Sequence, residues 1–127
     1  MKLKLPNAGA GRGFQVWEYR VSHKQLLLRC PKADDSSNNL DVMFYNVQYM
    51  DLPSVLPNLE IEEPNQTDIA FAESRVGKAV DEQQVFVLKS GDQRHVVVAG
   101  NAAVAESNMG VFESPFKLPP LDIQSRK

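Results

Sequence analysis

Short runs of aliphatic, aromatic and β-branched residues, broken by polar or proline-containing pieces, recur along the chain. Phe14–Val21 is the first. Strict alternation would put Trp17, Tyr19 and Val21 on one face and Phe14, Val16, Glu18 and Arg20 on the other. Ser22-His23-Lys24 separates this run from Gln25–Cys30, so the pair reads as a β-hairpin. Pro31 ends the second strand because it has no N–H for a ladder. Leu40–Met50 is strand-like again, with Met43, Tyr45 and Tyr49 assigned to one face. Asn46 marks a bulge or turn within it, since asparagine tolerates positive φ. Leu59-Glu60-Ile61-Glu62 alternates apolar and acidic residues, the pattern of a short half-exposed strand. Val85–Lys89 and Arg94–Ala99 flank Ser90-Gly91-Asp92-Gln93, the strongest hairpin signal in the chain. Gly100-Asn101 is expected to bend or bulge the next segment, Ala102–Glu106.

One stretch departs from this pattern. In residues 65–81, Ile69, Ala72, Val76 and Val80 recur at helical spacing, and Thr67 or Asp68 can cap the start. Ile69–Ala72 also reads as a strand, and Gly77 weakens a helix by about 1 kcal/mol relative to alanine. The balance predicts one short helix over about 68–80. The chain is therefore expected to be mainly β, a small antiparallel barrel or sandwich with that helix. The alternative is an α+β domain with the helix on one sheet face.

At 127 residues one domain is expected, spanning 1–127, with a flexible N-terminal lead (1–12) and an extended, proline-containing tail (114–127). The apolar runs reach only about four residues, so no membrane association is expected. One cysteine excludes an intramolecular disulfide, and with no secretory signal at the N-terminus the expected location is cytoplasmic.

The net charge of −2 conceals a segregation. Residues 1–32 hold Lys2, Lys4, Arg12, Arg20, Lys24, Arg29 and Lys32 against the single acid Glu18, whereas 33–88 hold eleven acids against Arg75 and Lys78. Basic and acidic strands can pair within one sheet, or the folded domain can present faces of opposite sign that steer charged partners or favour self-association. A pI near 5.6 weighs against nucleic acid as a partner.

The inventory for catalysis is thin. His23, His95 and Cys30 cannot complete a four-ligand zinc site, no acidic calcium loop is present, and no G-x-S-x-G frames a serine. Ala8–Gly13 has no strand before it and no helix after it, so it is not a phosphate loop. No catalytic residue, metal or cofactor is expected. The suggestive residues are amphipathic aromatics, which interfaces and apolar pockets both enrich. Trp17, Tyr19, Tyr45 and Tyr49, with His23 in its polar turn, are the candidate binding residues. The expected function is a non-catalytic protein–protein interaction module, acting on a partner or through self-association. The alternatives are a small barrel holding an apolar small molecule in a cavity lined by Trp17, Tyr19 and Tyr45, and an enzyme without a recognised motif.

Overall fold

Among the described residues, alternating apolar positions build seven antiparallel strands and one amphipathic segment builds an α-helix. The computed structural model describes residues 3–6, 12–32, 38–110 and 113–116. The strands are β1 (Phe14–Arg20), β2 (Gln25–Cys30), β3 (Asn39–Met50), β4 (Val55–Leu56), β5 (Leu59–Glu62), β6 (Val85–Ser90) and β7 (Gln93–Ser107), with the helix α1 (Gln66–Val76) between β5 and β6. They form one sheet in the order β4-β1-β2-β3-β7-β6-β5. The sheet curls into a half-barrel.

The connectivity explains the curl. β4 and β5 are the two edges of the sheet, yet only Pro57 and Asn58 separate them in the chain. In a flat sheet seven strands wide the edges would stand about 29 Å apart. Three peptide units from Leu56 to Leu59 reach at most about 11 Å. The edges must therefore approach each other at this corner. Leu59 N–H donates to Arg12 O at 3.1 Å, joining the start of β5 to the residues just before β1. Asn58 turns the corner in the left-handed region, at φ 52°.

The concave face holds the main core, which includes Phe14, Leu26, Leu28, Leu40, Val42, Phe44, Leu56, Leu59, Phe86, Leu88 and Val97. Phe44 and Phe86 meet edge to face there, centroids 5.3 Å apart. Each such side chain contributes roughly 1.5–3 kcal/mol on burial. β2 and β3, apolar on both faces, take central positions as their composition requires. Cys30 is a free, buried thiol in this core. Leu3, placed by the sequence in a flexible lead, is instead buried here.

Two smaller clusters cover the outer face. At one end α1 packs Ala72 against Val85, Val96 and Val98. At the other, Leu27 and Met43 are covered by Phe116.

The helix spans Gln66–Val76 rather than 68–80, and its N-cap is Asn65 rather than Thr67 or Asp68. Asn65 Oδ1 accepts the Asp68 N–H at 2.8 Å, and Asp68 Oδ2 accepts the Asn65 N–H at 2.9 Å, a reciprocal capping box. Gly77 does not weaken the helix from within. It ends it, at φ 87°, with its N–H on Glu73 O. The expected β6–β7 hairpin forms around Gly91-Asp92, Gly91 lying at φ 61°. Ala102–Glu106 is not a separate strand but the second half of the 15-residue β7. Among the described residues no helix is long and apolar enough to cross a membrane.

Candidate interaction face

Local alternation assembles an apolar trough on the outer face of β1, β2, β3 and β7. In β2 it places Leu27 and Arg29 outward, between the inward Leu26, Leu28 and Cys30. In β3 the residues opposite them, Met43 and Asp41, point the same way. In β7, Ala103 faces Met43 and Ala105 faces Asp41. Two alanines beside a methionine leave room above the sheet.

Trp17 joins this face through a bulge. Val16 pairs with Leu28 and Glu18 with Leu27, so Trp17 is the extra residue. The alternation expected from the sequence thereby fails. Trp17 packs with Leu27 and Met43 outside, whereas Tyr19 packs against the concave core. Val21 lies beyond the strand, in the turn, 78% exposed.

Phe116, on residues 113–116 that follow β7, fills the trough. Phe116 is buried in a cluster with Leu27 and Met43, against which Trp17 and Tyr45 pack. Tyr45 meets the Phe116 ring edge to face at 5.9 Å, and the Arg20 guanidinium lies 6.0 Å from its centroid. Phe116 N–H donates to Ser114 Oγ at 3.0 Å, which shapes the approach.

A buried ion pair anchors the segment. Arg29 and Asp41 are directly opposed on β2 and β3 and both are fully enclosed. Arg29 Nε donates to Asp41 Oδ1 at 2.7 Å and Nη2 to Oδ2 at 3.0 Å, a two-pronged pair. Nη1 donates to Glu113 O at 2.8 Å, and Nη2 also reaches Met109 Sδ at 3.6 Å. Asn39 Nδ2 adds a bond to Met109 O at 3.0 Å. The guanidinium also lies 5.8 Å from the Trp17 ring centroid. The segment thus supplies a backbone acceptor to a buried charge.

Of the five residues singled out from the sequence, the structure brings Trp17 and Tyr45 together and disperses the others. Tyr19 is on the opposite face of the sheet. Tyr49 packs edge to face on Phe71 at 6.1 Å and helps hold α1. His23 is exposed in the β1–β2 turn, with Nδ1 2.9 Å from Ser22 Oγ. Trp17, Tyr19 and Tyr45 therefore do not line one internal cavity. Cys30 sits at the far end of β2 from His23, so the hairpin does not pair them. No group of three or more metal-ligating side chains gathers among the described residues. Alternation within each strand pairs Leu27 with Arg29 and Ala103 with Ala105, but only the register through β3 puts the two pairs on one face, and nothing local in the sequence connects Phe116 to them.

No family model, curated protein or solved structure matches this chain.

Proposed function

We propose that this chain is a non-catalytic interaction module whose working surface is the Trp17–Leu27–Met43–Tyr45 trough. The trough receives an aromatic side chain carried on an extended segment. The observation that carries the reading is Phe116, seated in the trough in cis with its backbone tied to Arg29 through Glu113 O. A receptor face that already recognises one such segment offers the same contacts to an equivalent segment in trans. A second copy of the chain is the partner whose chemistry is assured to fit, which gives self-association by exchange of the segment after β7.

Edge-to-edge sheet pairing is the weaker route to a dimer. β4 has two residues and β5 has four, with Glu60 and Glu62 on the latter. Short, charged edges discourage strand addition. The single buried thiol supports placing the module in a reducing compartment such as the cytoplasm.

Trp17 is the only tryptophan, so its emission reports the trough directly. Phe116→Ala should shift that emission, and a synthetic peptide of residues 109–119 added to this variant should restore it saturably. Light scattering at rising concentration should show a dimer of the unmodified chain that Phe116→Ala loses. Unchanged emission in the variant, or a peptide without effect, would overturn the proposal.

A further inference from the structure

A second surface, on the other side of β1 from Trp17, has different chemistry. A cleft of about 650 Å³ opens between the β1–β2 turn, the middle of β3 and the C-terminal end of α1, lined by Tyr19, Lys24, Asn46, Gln48, Arg75 and Lys78 among others. Its size is that of a small-molecule site. Its lining holds three cations and no carboxylate.

Most of the other described cations are committed. Arg20 pairs with Glu18, Arg29 with Asp41, Lys89 with Glu60 and Glu62, and Arg94 with Glu62 and Asp68. Among the described residues, Lys24, Arg75 and Lys78 have no carboxylate partner. Glu73, the nearest acid along α1, has its carboxylate on the Val80 N–H at 3.1 Å. Asp81 caps the turn that follows through the Gln83 N–H. Arg75 lies over the Phe71 ring at 5.0 Å, which orients the guanidinium plane without neutralising it.

The backbone holds these groups in place. Val47 N–H donates to Lys24 O at 2.9 Å, tying the turn to β3. Gly77 reverses the chain after α1, so that Lys78 returns to the cleft. Lys24 occupies the left-handed region at φ 51°, where glycine would be unstrained. The chain thus carries a charged side chain at a position whose backbone would favour none.

We infer that this cleft binds a small phosphate-bearing anion. Arg75 supplies a planar fork for two phosphate oxygens, and Lys24 and Lys78 supply point charges. The Tyr19 hydroxyl and the Asn46 and Gln48 amides supply neutral donors and acceptors for the remainder of the molecule. The inference is independent of the aromatic trough.

The test is an amide-resolved NMR titration of the full chain with inorganic pyrophosphate, with citrate and a short single-stranded oligonucleotide in parallel arms and ionic strength held constant with sodium chloride. Saturable shifts at the amides of Lys24, Asn46, Gln48 and Lys78 are expected, with affinity at least tenfold weaker in Arg75→Gln/Lys78→Gln. Lys24→Gly separates recognition from folding: its thermal midpoint should hold or rise while pyrophosphate affinity falls severalfold. Non-saturable or scattered shifts, or unchanged affinity in the variants, would overturn the inference. Preference for citrate would overturn the phosphate assignment, and tighter binding of the oligonucleotide would overturn the assignment to a small ligand.

Discussion

Asn46 and Gly100 lie opposite each other in the β3–β7 ladder, and each makes room for the other. Asn46 is left-handed at φ 55°, and a Cβ on Gly100 would stand 3.3 Å from both Asn46 Cβ and Nδ2. On one side of this pair Tyr45 and Ala103 face outward. On the other, the neighbouring Val47 and Ala99 face the concave core. The two long strands therefore change which residues they turn inward at this point, and the same strands serve the Phe116 trough at one end and the α1 platform at the other.

Adding a methyl at Gly100 should strain this crossing. Gly100→Ala is expected to cost about 1–2 kcal/mol in urea denaturation, within the range for overpacking. Asn46→Gly removes the opposing Cβ and relieves the left-handed backbone. The double variant should recover most of the loss, and simple additivity of the two changes would show that the residues do not compete for space.

The Arg29–Asp41 pair should behave as an enclosed charge pair. Asp41→Asn or Arg29→Ala leaves its partner buried without a counter-charge, at a cost of about 3–5 kcal/mol. Replacing both with apolar residues, Arg29→Met with Asp41→Leu, should recover much of that stability while failing to hold Glu113 O. Equilibrium unfolding measures the first effect and Trp17 emission the second. A loss below about 1 kcal/mol in the single variants would mean that water reaches the pair.

Acid should loosen the helix N-terminus through Asp68. Burial pushes this carboxyl up, but the hydrogen bond from Arg94, the Asn65 N–H and the Arg94 charge together outweigh it and hold it below its ordinary 3.8. Arg94 Nη2 lies 2.6 Å from Asp68 Oδ2. A lowered folded-state value means that the stabilisation is fully present above pH 3.8 and is lost as pH falls through the folded value. Asp68→Asn should cost on the order of 1 kcal/mol near neutrality through the weakened cap. The difference in stability between the two proteins should shrink below about pH 4. A difference that stays constant from pH 7 to pH 2.5 would remove Asp68 from the account.

Cys30 should report opening of the sheet. The thiol is 6% exposed at the end of the interior strand β2. Reaction with a thiol reagent should be slow in the native protein and should accelerate with denaturant in step with global unfolding. Fast labelling with an unchanged circular dichroism spectrum would show that the end of β2 opens locally.

What could be read without coordinates was what depends on near neighbours. Residues 26–28 and 42–45, apolar without interruption, could belong only to strands covered on both faces, because leaving either face in water forfeits burial. Gly91-Asp92 between β-branched runs specified a hairpin for the same local reason: two-residue turns demand positive φ. Asn46 was marked as an irregularity by its tolerance of that region. Helical spacing places the helix but not its cap, because Asn65, Thr67 and Asp68 can all serve and only the reciprocal bonds choose among them.

The rest was settled by the tertiary structure. Trp17 and Tyr19 are two apart, and strand periodicity puts them together. One extra residue in the pairing with β2 separates them, and the sequence of β1 alone does not contain its partner's register. Whether seven strands close, splay or curl depends on which edges the chain joins, and that is the short Pro57-Asn58 link between strands at opposite ends of the order. The encounters of Phe116 with Leu27 and of Lys24 with Lys78 are closed by long loops whose entropy is repaid only when the whole sheet is in place. Chain-local chemistry thus determined which elements form, while long-range register and topology decided which side chains share a surface.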